Sequence, residues 1–261
     1  MSNRLERLFA KKSGGLLSVY FTAGYPERDD TEKIILSLAR HGADMIEVGV
    51  PFSDPMADGP VIQDSGTSAL RNGMTMKLLF DQVESAREQC PDIPLVLMGY
   101  LNPMMQFGIG RLFERCSSAG IDAVIIPDLP FGEYMEHFKP LCEKYGIPVV
   151  MLITPETSAE RIRLIDGNCG GFIYMVSAAS TTGTKDRFSD DQKEYFRKVD
   201  SMGLKNRRLI GFGISNQETF ADACRYSSGA IIGSLFIKCL SWAPSVDAAV
   251  EELMHRVGRG R

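Results

Sequence analysis

The chain has 261 residues, 44% of them hydrophobic and 24% charged, with a net charge of −4. That is ordinary globular composition, with ample apolar residues for a core. Acids and bases are mixed along the chain, which excludes the basic footprint of a nucleic-acid or anionic-membrane binder, so an anionic substrate has to be held by local geometry.

In chain order, short β-type runs alternate with helical patterns. The N-terminal stretch MSNRLERLFAKKSGG carries an extra helix ahead of the first strand and has no apolar signal core. Candidate strands occupy residues 16–22, 45–49, 95–100, 123–128, 149–154, 172–177, 209–213 and 230–232. They are apolar at most positions, as in strands buried on both faces of a parallel sheet. Helix-length segments lie between them at 31–40, 77–89, 109–118, 190–202 and 216–225. Several helices end at a glycine that leads straight into a strand, in HGADMIEV, AGIDAVII, CGGFIYMV and SGAIIGS; glycine there supplies the left-handed residue that closes a helix. About eight such units in roughly 250 residues, with no linker, is the arithmetic of a single (β/α)8 TIM barrel spanning 1–261. A doubly wound sheet is the alternative, although it more often uses five or six strands. No apolar run reaches the roughly 18 residues of a membrane span, and six scattered cysteines without a C-x-x-C pair read as reduced thiols. A cytoplasmic protein is expected.

In such a barrel the chemistry sits at the C-terminal ends of the strands. The segment EVGVPFSDPMADGP crosses one of these ends. Alternation puts Glu47 on the side of Met45 and Gly49, inside the barrel mouth, with Ile46 and Val48 facing the helices. A carboxyl held there loses hydration, and its pKa rises towards the range useful for proton transfer. The competing reading is a structural glutamate bonded to its neighbours. Asp54 and Asp58 follow in a loop stiffened by Pro51, Pro55 and Pro60; for Asp54, directly before a proline, a local turn role leads. Further along, Thr182-Gly183, Gly211-Phe212-Gly213 and Gly233-Ser234 follow the sixth, seventh and eighth strands. Glycines at these loops let backbone N–H groups approach an anion, and a helix opening at Ser234 adds its dipole. The three histidines fall on helical segments, no lysine lies in a candidate strand, and no Ser-His-Asp arrangement is visible, so neither a metal site nor an imine is expected. Carboxylates, Tyr174 on the sixth strand and a phosphate cradle remain. They suit acid–base chemistry on a phosphorylated substrate.

The run EVGVPFSDPMADGPVIQ, together with PDLP at 127–130, GFGIS at 211–215 and GS at 233–234, closely resembles the tryptophan synthase alpha chain family over essentially the whole chain. The resemblance implies a TIM-barrel lyase that cleaves indole-3-glycerol phosphate to indole and glyceraldehyde 3-phosphate. It also implies the residue roles. Glu47 transfers protons, Asp58 accepts from the indole N–H, and Tyr174 is the site tyrosine. Gly183, Gly213, Gly233 and Ser234 hold the phosphate, Tyr20, Met98, Phe212 and Ile232 line the indole pocket, and Thr182 belongs to a closing loop. The family docks on a beta chain in an αββα assembly, and pyridoxal phosphate is expected on that partner rather than on this chain. Apolar residues in the loops after the second, third and fourth strands, such as Met56, Met104, Met105, Leu129 and Phe131, fit such a contact, or else well-packed loops. The chain departs from the family pattern at Ala178 and Ser180, where an arginine and a glycine are common, and at Tyr25, where an aspartate is also common. An indole-glycerol-phosphate synthase-like barrel would call for a strand-end lysine. A barrel that only regulates a partner would not need both Glu47 and Asp58.

Overall fold

Period-two alternation on short apolar strands leaves each of them two faces to bury, and closing the sheet on itself meets that need. The computed structural model describes residues 3–177 and 187–260. In chain order these form α1 (Arg4–Lys11), β1 (Leu16–Thr22), α2 (Thr31–Arg40), β2 (Met45–Gly49), α3 (Pro60–Arg71), α4 (Met76–Gln89), β3 (Leu95–Met98), α5 (Leu101–Phe107), α6 (Ile109–Ala119) and β4 (Ala123–Ile125). There follow α7 (Phe131–Glu133), a π-helical turn (Tyr134–Phe138), α8 (Lys139–Tyr145), β5 (Val149–Ile153), α9 (Ala159–Asn168), β6 (Phe172–Val176), α10 (Asp190–Asp200), β7 (Arg207–Gly211), α11 (Gln217–Tyr226), β8 (Gly229–Ile232), α12 (Ser234–Trp242) and α13 (Val246–Arg256). Every strand pairs in parallel with its sequence neighbours, and β1 also pairs with β8, so the sheet is a closed (β/α)8 barrel.

Side chains sort onto two faces. Met45, Val96, Ala123, Ile125, Val150, Phe172, Leu209 and Ile231 pack inside the barrel. Their neighbours Ile46, Leu95, Val124, Val149, Ile173, Ile210, Ala230 and Ile232 pack outward against the helices. The N-terminal helix closes the lower end: Leu5 is buried in the inner cluster, and Phe9 meets Phe172 edge-on at 6.4 Å.

β1 and β2 have the expected bounds, whereas β3 to β6 end one to three residues early. The apolar run outlasts the ladder because the departing chain stays covered, as at Tyr100 and Ile126, both buried. β7 lies two residues earlier than expected. Phe212 at φ 67° and Gly213 at φ 74° leave the extended region and end it, while Arg207 starts it and Arg208, its second residue, is bonded to Asp200 at 2.6 Å. The proline-rich loop is also shorter than the sequence suggests, since Gly59 caps α3 and Pro60 is its first residue. Proline suits that position because its missing N–H has no acceptor there.

Candidate active site

β2 carries Glu47 into the barrel, where the carboxyl is fully buried. Ser18 on β1 donates to its Oε1 at 2.7 Å. The other oxygen, Oε2, is buried with no hydrogen-bond partner among the described residues. Burial pushes this carboxyl from its ordinary 4.5 up to about 7, and the Ser18 bond opposes the rise only in part. A carboxyl near neutrality, with one oxygen free, can both give and take a proton.

Asp58 ends the loop between β2 and α3. The loop is pinned from both sides: Thr22 and Ser65 share a buried 2.6 Å hydrogen bond that holds α3 to β1, and Tyr100 Oη donates to Asp58 Oδ2 at 2.9 Å. Burial raises the Asp58 pKa, and the bond from Tyr100 lowers it again in part. Tyr20 and Tyr174 enter the same space. Burial, first, and then the nearby carboxyls raise both phenol pKa values, so both remain protonated. Each ring lies across a glycine of the adjacent strand, Tyr20 over Gly49 and Tyr174 over Gly211, where a Cβ would collide with it.

Glu47, Asp58, Tyr20 and Tyr174 line one cavity of about 600 Å³ together with Met98, Phe212, Ile231, Gly213, Gly233 and Ser234. Tyr174 and Phe212 meet edge-on at 6.2 Å. Phe212 is the only non-glycine residue among those described with positive φ, and Ser177 Oγ holds its carbonyl at 2.8 Å. Such strain costs of order 1–3 kcal/mol and persists where its surroundings over-determine it. α12 opens on the cavity with no side-chain cap at Gly233. Its first N–H groups therefore lack intrahelical acceptors and suit an anion.

Of the site residues read from sequence, Glu47, Asp58, Tyr174, Tyr20, Met98, Phe212, Gly213, Gly233 and Ser234 line this one cavity. Ile232 does not. β8 turns its side chain outward into the helix-facing core, and the adjacent Ile231 points inward and lines the cavity in its place. Thr182 and Gly183, like Ala178 and Ser180, lie outside the described residues. Sequence reading missed Tyr100, Arg187 and Lys238. Lys238 had a legible signal, four residues after Ser234 on a helix expected to open there. Arg187 lines the cavity while paired with Glu218 at 2.9 Å. The apolar loop residues divide: Met104, Leu129 and Phe131 are core, whereas Met56 and Met105 are 87% and 59% exposed.

Residues 6–258 match the family profile of the tryptophan synthase alpha chain. The chain belongs to that family. It is 53% identical to the tryptophan synthase alpha chain of Bacteroides fragilis over 251 residues, 96% of this chain and 95% of that one. It is 54% identical to that of Flavobacterium johnsoniae over 226 residues, 87% and 89% of the two chains. In three dimensions it resembles Mycobacterium tuberculosis tryptophan synthase, with a TM-score of 0.87 at 28% identity, covering 98% of this chain and 99% of that one. The alpha chain of Legionella pneumophila gives a TM-score of 0.86 at 29% identity, covering 99% and 98%.

Proposed function

We infer that the chain is a carbon–carbon lyase that performs the retro-aldol cleavage of indole-3-glycerol phosphate to indole and glyceraldehyde 3-phosphate. The observation that carries this reading is Glu47, a buried carboxyl with one unpartnered oxygen in a cavity, its pKa raised to about 7. Protonated Glu47 delivers its proton to C3 of the indole, giving an indolenine whose C=N bond is the electron sink. The resulting carboxylate then takes the proton of the glycerol hydroxyl next to the ring. As that oxygen becomes a carbonyl, the carbon–carbon bond breaks, its electrons return to the ring, and Glu47 is protonated again. Ionised Asp58 accepts from the indole N–H and stabilises its developing positive charge.

The indole lies among Tyr20, Met98, Tyr174, Phe212 and Ile231. The phosphate lies on the backbone of Gly213, Gly233 and Ser234 at the start of α12, with Gly183 and the closing-loop residue Thr182 assigned by family resemblance alone. The chain works as one barrel in the cytoplasm and needs no cofactor of its own. Indole passes to a pyridoxal-phosphate-dependent beta chain in an αββα assembly, and exposed Met56 and Met105 belong to the docking face. The test is to incubate the purified chain with indole-3-glycerol phosphate and assay indole, with and without a beta chain and with Glu47→Gln as control. No indole in either condition would overturn the reading.

A further inference from the structure

Tyr100 follows β3 and serves as the N-terminal flank of α5. Its hydroxyl makes two bonds with one possible sense. The Ala57 N–H donates to Tyr100 Oη at 2.9 Å, so the single phenolic proton is free to go to Asp58 Oδ2, also at 2.9 Å. Among the described residues no other side chain bonds the Asp58 carboxylate, so its second oxygen is left for a ligand. The ring itself is held. Phe52 packs on it at 5.5 Å between centroids, and the next residue, Leu101, donates its N–H to Asp128 Oδ1 at 2.8 Å. A phenol has few rotatable bonds, and one clamped at both ends fixes the plane of any carboxylate it holds.

We propose that Tyr100 is a positioning residue for Asp58: it aims the free carboxylate oxygen at the ring N–H of the substrate and keeps the carboxylate ionised. The proposal rests on the assignment of Asp58 above. It also links α5, at the surface, to the catalytic carboxylate through one side chain. The groups facing Asp58 are Tyr20 from β1, Tyr100 after β3 and Tyr174 from β6, with Glu47 of β2, Arg187 and Lys238 lining the same cavity. Burial keeps all three phenols protonated, so Tyr100 remains a donor wherever Asp58 titrates.

The test is Tyr100→Phe, alone and combined with Asp58→Asn, with pH profiles of kcat/KM. We expect kcat to fall about 10-fold with KM changed little, since a hydrogen bond to a charged group is lost. The acid limb should move to higher pH, because ionised Asp58 loses its donor while its burial remains. In the Asp58→Asn background the same change should cost less than about 2-fold, because the two residues act as one unit. Phe52→Leu, which loosens the ring without touching the hydroxyl, should give a smaller loss in the same direction. Equal fold losses in both backgrounds, or an unmoved acid limb, would reduce Tyr100 to packing and overturn the proposal while sparing Asp58. Near-wild-type turnover in Asp58→Asn alone would overturn the role of Asp58, and this one with it.

Discussion

Replacing Glu47 by glutamine should cut turnover by orders of magnitude and, above neutral pH, make the protein more stable. Glu47 is fully buried, with Ser18 at 2.7 Å its one side-chain partner among the described residues, and burial raises its pKa from 4.5 to about 7. Below pH 4.5 the carboxyl is neutral in both folded and unfolded chains. Between 4.5 and about 7 the unfolded chain releases the proton and the folded one keeps it, so stability falls as pH rises through this window and stays low above it. At about 1.4 kcal/mol per pH unit, the full loss is about 3 kcal/mol. Glutamine does not titrate, so it escapes the loss; its unpaired amide nitrogen costs about 1 kcal/mol at every pH. Urea unfolding of both proteins at pH 5 and pH 8 isolates the pH-dependent part, since the fixed amide cost cancels. The stability difference, mutant minus wild type, should grow by about 2–3 kcal/mol from pH 5 to pH 8. Parallel stability curves would refute the reasoning, because Glu47 would then titrate in the fold as it does in water. Substrate should still bind the mutant, with turnover reduced by roughly 10²–10⁴-fold.

The pH profile of kcat/KM should be bell-shaped. Glu47 starts the cycle protonated, so the rate falls about tenfold per pH unit above about 7, and the acid limb, set by Asp58, lies above the usual carboxylate range. Lys238→Gln should weaken glycerol 3-phosphate binding about fivefold with little effect on indole analogues, as expected for one partly exposed charge; equal loss for both ligand classes, measured by calorimetry, would argue against a phosphate role. Gly211→Ala places a methyl against the Tyr174 ring and should cost about 1–3 kcal/mol of stability together with a fall in kcat/KM. Unchanged melting and kinetics would show that Tyr174 can move aside.

The barrel was legible because strands buried on both faces must be apolar almost throughout, and the glycine-closed helices separate them. Glu47 was legible for the same reason: a carboxylate inside such a strand is an anomaly that alternation resolves to one face. What the sequence hides is what crosses between strands. Tyr100 sits at the end of an apolar run, and nothing in LVLMGY marks its hydroxyl as a partner of Asp58 42 residues earlier. Ile231 and Ile232 are chemically identical, and only the register of β8 against β1 and β7, which pairs Ile231 with Ser18 and Gly211, decides which one turns inward. The expected helix segments leave out α9, whose buried residues are Ile162 and Ile165, and α13, which buries Ala249, Val250, Leu253 and Met254.

The two ends of the barrel treat a buried carboxylate in opposite ways, and the contrast bears on what Glu47 is for. At the lower end, Asp122 is almost wholly buried and fully partnered. Arg4 Nη1 lies 3.3 Å from Oδ1 and Arg87 Nη2 lies 3.4 Å from Oδ2, and the backbone N–H groups of Arg4 and Leu95 add bonds at 3.2 and 3.0 Å. A buried carboxylate supplied in this way ties α1 and α4 to the barrel floor, and removing a partner is costly. Glu47 has the same burial with, among the described residues, one serine hydroxyl and no cation. Packing alone does not explain leaving it so, because an apolar or amide side chain of similar size would avoid the cost. The deficit sits beside Phe212, held at positive φ, and Asp58, raised by burial. An unpartnered carboxyl oxygen and strained backbone therefore sit together at the C-terminal ends of the strands, while the carboxylate at the floor has its partners and the unpaired atoms there are guanidinium nitrogens, Nε of Arg87 and of Arg208. That distribution is expected when the upper end is shaped for a reaction and the lower end for stability.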